Sequence, residues 1–387
     1  MARVDTFLEL VVKQKGSDLH LISGNPPRVR LNGDTYAVKY RELSHDETND
    51  MLYEIMSKEH KEAFEKNKGV DFAYQTPELG RFRVNVFEHM RGMGAVFRVI
   101  PTEIMSLADL RLPPVLKNFC RQTKGLILVT GPTGSGKSTT LAAMVDFINT
   151  ERKGHILTVE DPVEFIHQNK NCLISQREVG SNTPRFADAL HSALREDPDV
   201  ILVGEMRDLE TVHLALTAAE MGILVMGTLH TSGAAASIDR MINVFPAEEE
   251  SFIRTMISTS LVGVVSQLLI RKADHQGRVA ALEIMINNPA IANLIREGKT
   301  EQIESVIQGS SMQGMQRMDT ALRRLLDAKM ITGDDAYLKA RNKDEFKRFR
   351  EDIEEVQVTE DTSPDTGTTP PDNPPASPPA GQGKSLL

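Results

Sequence analysis

Four short, mostly apolar runs punctuate the middle of the chain: GLILVTG (125–131), HILTVE (155–160), VILVG (200–204) and ILVMGTL (223–229). Longer helix-patterned stretches separate them, among them residues 184–197 and 208–220, the latter with Asp208 placed to cap its start. Near-continuous apolar strands alternating with helices predict an α/β fold built on a parallel sheet covered on both faces. In such sheets ligands bind beyond the carboxyl ends of the strands. The residues just after each run are therefore where chemistry is expected.

The first run leads into GPTGSGKSTT, residues 131–140. Gly131, Pro132, Thr133, Gly134, Ser135, Gly136, Lys137 and Ser138 match G-x-x-x-x-G-K-[ST], and Thr139 follows them at the head of an amphipathic helix. The glycines let backbone N–H groups converge on phosphate, and the helix N-terminus adds partial positive charge. Lys137 is expected to reach the β- and γ-phosphates and Ser138 to ligate Mg²⁺. The strand before and the helix after distinguish this loop from a chance glycine-rich turn. It predicts nucleoside-triphosphate binding, without saying what the energy is used for.

Hydrolysis at such a loop needs a further carboxylate on the metal side and a group that orients or deprotonates water. The other run ends supply candidates. Glu160 closes the second run, with Asp161 and Glu164 just beyond it, and Glu205 follows the third. Spacing favours Glu205 as the metal-side acid and leaves open whether Glu160 or Glu164 is the base. His230 follows the fourth run. Alone it reads as a hydrogen-bonded structural histidine; at the end of a fourth strand beside a phosphate loop it is also a candidate site residue. Near the N-terminus, residues 80–101 alternate as a β-hairpin, with Phe82, Val84 and Val86 on one face and Arg81 and Arg83 on the other. Arg98 lies on the partner strand. These arginines are either a solvated strand face or a source of charge reaching a nucleotide from another domain or subunit.

The chain divides by pattern into five parts: a small α+β unit (1–100), a proline-punctuated linker with a short helix (101–123), the nucleotide-binding core (124–288), a polar helical region (289–356) and a Pro-rich tail (357–387) expected to be disordered. Two cysteines, Cys120 and Cys172, with no CxxC pair, argue against a disulfide framework or a four-cysteine zinc site and fit a reducing cytosol. The net charge of −9 and the lack of a basic stripe argue against direct nucleic-acid binding. No apolar run approaches the ~18 residues a membrane helix needs, leaving only peripheral membrane association open.

GPTGSGKSTT, ILTVEDPVEF, REDPDVILVGEMRDLET and GTLHTSGAAASIDR, in that order, resemble the Walker A, Asp, Walker B and His boxes of the type II/type IV secretion ATPases. The last two, with FPAEEE following, are most similar to the PilT family of type IV pilus retraction ATPases. DLHLISGNPPRVRLNG and NVFEHMRGMGAVFRVIP also resemble that family's PAS-like N-terminal domain. The resemblance implies a RecA-like core in a ring-shaped homohexamer, cytoplasmic and peripheral to the inner membrane. ATP would drive a membrane platform protein of the pilus machinery, depolymerising the pilus for twitching motility. It implies Glu164 as catalytic base with Glu160 in support, Glu205 as Walker B acid, His230 as sensor of nucleotide state, and Arg81, Arg83 and Arg98 as arginines that reach the nucleotide. Two features depart from the pattern: the family's AIRNLIRE signature reads AIANLIRE here, with Ala292 in place of the arginine, and the Pro-rich tail has no counterpart. A related accessory retraction ATPase, or an assembly or secretion ATPase, is the alternative.

Overall fold

The computed structural model describes residues 2–31, 34–100 and 103–350. The expectations for residues 101 and 102, for 351–356 and for the Pro-rich tail lie outside the described residues.

The N-terminal part builds α1 (Asp5–Lys13), β1 (Asp18–Ile22), β2 (Arg28–Leu31), β3 (Asp34–Ala37), α2 (His45–Ile55), α3 (Lys58–Asn67), β4 (Gly69–Thr76), β5 (Gly80–His89) and β6 (Gly92–Ile100). Its six strands form one antiparallel sheet in the order β3-β2-β1-β6-β5-β4. The alternation read in β5 decides its faces. Phe82, Val84 and Val86 are fully buried against α1, α2 and α3, while Arg83 and Asn85 point outward. Capping boxes start α2 (Ser44 with Glu47) and α3 (Ser57 with His60), which satisfies backbone donors that a helix start otherwise leaves orphaned.

A short helix, α4 (Val115–Cys120), leads into the second sheet. There β7 (Gly125–Thr130), α5 (Lys137–Glu151), β8 (His155–Glu160), β9 (Leu173–Glu178), α6 (Phe186–Ala193), β10 (Val200–Val203), α7 (Leu209–Glu220), β11 (Leu224–Leu229), α8 (Ala234–Ile242) and α9 (Glu250–Ser260) precede β12 (Leu261–Arg271) and β13 (Arg278–Ile286). The strand order is β13-β12-β7-β11-β10-β8-β9. The four expected runs are its parallel centre, and every residue of β7, β10 and β11 is buried. Helices α4 and α5 cover one face and α6 to α9 the other.

A purely parallel sheet of four runs is too simple. The sheet gains β9 and β12, both parallel, and β13, which runs antiparallel to β12. An antiparallel neighbour needs only a short turn, here 272–277, whereas a parallel one needs a crossover. Helices α10 (Pro289–Glu297), α11 (Ile303–Gly309), α12 (Met318–Asp327) and α13 (Gly333–Lys339) follow, and α12 and α13 pack on the outer part of the β12–β13 hairpin.

Candidate functional site

The phosphate loop leaves β7 at its carboxyl end and turns into α5. Gly131 has φ 143°, and a Cβ there would sit 2.3 Å from the Gln267 carbonyl oxygen of β12. Gly136 caps α5 with φ 85°. Both positions take backbone shapes that side chains resist, which is why glycine stands there. Lys137 Nζ donates to the carbonyls of Gly131 (2.9 Å) and Pro132 (3.2 Å), so the ammonium lies under its own loop. Burial pushes its pKa down, opposed by the charges of Glu205 and Glu164.

Four strand ends meet here. A cavity of about 490 Å³ is lined by Thr133, Gly134, Gly136, Lys137, Ser138 and Thr139 from the loop and α5, by Glu160 and Glu164 after β8, by Glu205 after β10 and by His230 after β11. Glu205 Oε1 pairs with His230 Nε2 at 3.2 Å and also accepts from Arg207 Nε. Burial pushes the Glu205 carboxyl up, but Arg207 and His230 outweigh it and hold the group below the usual carboxylate range. The other ring nitrogen of His230, Nδ1, lies 3.4 Å from Thr133 Oγ1 in the phosphate loop. His230 thus bridges the loop and the β10 carboxylate. Glu160 accepts from Thr158 Oγ1 at 2.8 Å and from the Glu164 N–H at 3.4 Å, and burial raises its pKa. Glu164 is exposed on the cavity wall.

Among the described residues no group of three or more His, Cys, Asp or Glu could hold a metal alone. Mg²⁺ makes no such demand, because it binds through one or two protein oxygens completed by phosphate and water. The Ser138 hydroxyl and the Glu205 carboxylate line one cavity with that hard-oxygen chemistry.

Residues 2–361 match the family model described as "Type II/IV secretion system protein". The chain is 50% identical over 343 residues to the "Type IV pilus retractation ATPase PilT" of Pseudomonas aeruginosa, covering 89% of this chain and 99% of that one. It is 51% identical over 316 residues to a "Twitching motility protein" of Neisseria gonorrhoeae, covering 82% and 84%. The crystal structure of the pilus retraction motor PilT with bound ADP matches with a TM-score of 0.84 at 43% identity, over 90% of this chain and 99% of that one. This chain belongs to the PilT family of pilus retraction ATPases.

None of Arg81, Arg83 and Arg98 lines the phosphate-loop cavity of its own chain. Arg81 Nη2 donates to Glu178 Oε2 at 2.9 Å, and Arg98 Nε donates to the buried Asp18 at 2.8 Å. Arg83 lines a neighbouring cleft with Asp161, Pro162 and Glu178, and its nearest carboxylate is Asp71 at 3.8 Å. Three contributors escaped the sequence reading. Arg207 stands two residues after Glu205, and that spacing was the available signal. Arg278 reaches the cavity from β13. Gln267 holds the loop from β12, donating to the Ser135 carbonyl at 2.7 Å and accepting from Thr140 Oγ1 at 2.7 Å. Its signal was a polar pair, Ser266 and Gln267, inside an apolar run.

Proposed function

We propose that this chain is a motor that hydrolyses ATP to power type IV pilus retraction, and that it works as a homohexamer. One observation carries the reading: a phosphate loop, carboxylates from two further strands and a bridging histidine line a single cavity, in a chain that matches PilT over nearly all of that protein's length. The loop amides and Lys137 hold the phosphates. Ser138 and Glu205 would hold Mg²⁺, which would supply charge neutralisation on the phosphate oxygens. Glu164 takes the proton of the attacking water, with Glu160 behind it. His230 reports the loop's state to Glu205. The nucleoside lies in an adjoining cavity of about 510 Å³ that shares Gly136, Thr139, Leu269 and Arg278 with the first and reaches Met105 and Leu112 of the linker.

Arg81, Arg83 and Arg98 belong to the N-terminal sheet of a PAS-like domain rather than to the RecA-like core that begins near residue 124, although Arg81 already pairs with Glu178 of that core. They would meet a nucleotide by domain movement or across a subunit boundary. Unaltered turnover in all three single alanine variants would refute that role. In the cell the ring stands on the cytoplasmic side of the inner membrane against a platform protein, peripherally bound; no helix among the described residues is long and apolar enough to cross a membrane. A deletion strain tests the output: loss of retraction leaves cells piliated and non-twitching, whereas bald cells would assign the chain to assembly. Ala292, half-buried on α10 where the family signature has arginine, favours a second reading as an accessory retraction ATPase. The "Type IV pilus ATPase PilU" of Pseudomonas aeruginosa is 39% identical over 332 residues. Retraction by the parent chain alone, without help from Ala292→Arg, would exclude that reading.

A further inference from the structure

No residue of strand β9 lines the phosphate-loop cavity, although Gln176 Nε2 donates to Glu160 Oε1 on its wall at 3.4 Å, and the strand holds the segment that carries Glu164. The register sets Gln176 beside Thr158 and Glu178 beside Glu160, so both share the face of Glu160, one strand further out. Gln176 accepts the His167 N–H at 2.8 Å and donates to the Phe165 carbonyl at 2.9 Å. Glu178 Oε2 accepts the Val163 N–H at 3.0 Å. The segment 161–167 has no helix or strand of its own and hangs from β9 by these bonds.

The same oxygen, Glu178 Oε2, accepts Arg81 Nη2 at 2.9 Å, across from β5 of the other sheet. Ser181 Oγ donates to Glu178 Oε1 at 3.0 Å. The Arg81 and Glu178 side chains are only 20% and 8% exposed, so water does little to screen the pair. One carboxylate oxygen thus joins the N-terminal sheet to the backbone immediately before Glu164. The join is also incomplete, because Arg81 Nε is buried without an acceptor. A buried orphan donor is costly, so Arg81 gains from any position that satisfies it better.

We propose that Glu178 is a positioning residue for hydrolysis, and that its pair with Arg81 is the contact through which movement of the N-terminal sheet reaches the base loop. This rests on the reading of Glu164 as base. With Arg81 in place, the carboxylate keeps its counter-charge and the backbone at Val163 stays anchored. When the N-terminal sheet withdraws Arg81, a buried carboxylate is left with neutral donors only, and the loop's anchor weakens.

The test combines kcat and KM for MgATP on the full chain with amide hydrogen exchange over 161–167. Glu178→Ala should lower kcat about tenfold or more, since small misplacements of a reacting group are costly, while KM stays within about twofold. Exchange over 161–167 should quicken and that of 131–138 should not. Glu178→Gln keeps an acceptor for Val163 but no charge for Arg81. It should restore much of the exchange protection, and Arg81→Ala should then add little to it, although Arg81→Ala slows the parent. A kcat for Glu178→Ala within about twofold of the parent, or strictly additive losses in the Arg81→Ala, Glu178→Gln pair, overturns the proposal. If Glu178→Ala does not fold, the Gln and Arg81 variants carry the test. Full turnover by Glu164→Gln would instead sink the base assignment; a dead Glu164→Gln beside a normal Glu178→Ala sinks only this inference.

Discussion

Replacing Gln267 with methionine keeps roughly the volume of the side chain and removes both of its hydrogen-bonding groups. Gln267 is 2% exposed, and its two partners, the Ser135 carbonyl and the Thr140 hydroxyl, belong to residues that are 3% and 1% exposed. Methionine leaves both partners buried and unpaired. A buried polar group without a partner costs about 1–3 kcal/mol, so the pair sets a ceiling of about 6. The Thr140 hydroxyl can turn to the carbonyl one helical turn back, which trims its share and leaves about 2–4 kcal/mol in all. The loss falls on the loop that must hold its amides in place for phosphate. If half of it is felt there, ADP affinity drops about tenfold, because about 1.4 kcal/mol is a factor of ten. Titration with a fluorescent ADP analogue measures this, and thermal melts with and without ADP measure the remainder. Thr140→Val should cost less in the Gln267→Met background than in the parent, with a coupling of about 1 kcal/mol, because its hydroxyl has already lost its acceptor. Gln267→Met that binds ADP within about twofold of the parent and melts at the same temperature would refute a role for β12 in holding the loop.

Two further predictions use other parts of the molecule. His230→Ala removes the bridge between Thr133 and Glu205, so kcat should fall about tenfold while ADP affinity stays within about threefold; normal turnover would return His230 to a structural role. In the N-terminal sheet, burial pushes the Asp18 carboxyl up, but the Ser17 hydroxyl and Arg98 outweigh it and its pKa is lowered from 3.8. A depressed folded value means that Asp18 contributes stability above about pH 3.8, lost as the pH falls through the folded value. Asp18→Asn should therefore melt below the parent at pH 7, with the gap narrowing in acid; a gap constant down to pH 3 would contradict the pairing.

The parts of the fold written as local pattern were legible in the chain. The buried strands β7, β8, β10 and β11 announced themselves by near-continuous apolar runs, and the loop by glycines that a side chain could not replace. Their convergence came from topology, since parallel strands place every carboxyl end on one edge. What escaped was set by tertiary context. Strand β9 is half-exposed and polar, LISQRE, with no period to mark it, because Gln176 and Glu178 work as ties to segment 161–167 while only Ile174 packs on the core. Gln267 lies in an apolar run and shows its purpose only once β12 is placed beside β7. The pairing of Arg81 with Glu178 spans 97 residues, and no local pattern encodes it.

Hydrolysis at the strand edge shared by Lys137, Glu164, Glu205 and His230 has a decisive measurement: single-turnover cleavage of radiolabelled ATP by Glu164→Gln, beside the parent and Lys137→Ala. Glu164→Gln should bind ATP like the parent but cleave it at least about a hundredfold more slowly, the scale of a lost general base, and Lys137→Ala should fail already at binding. Cleavage by Glu164→Gln at the parent rate would contradict hydrolysis by this base at this edge.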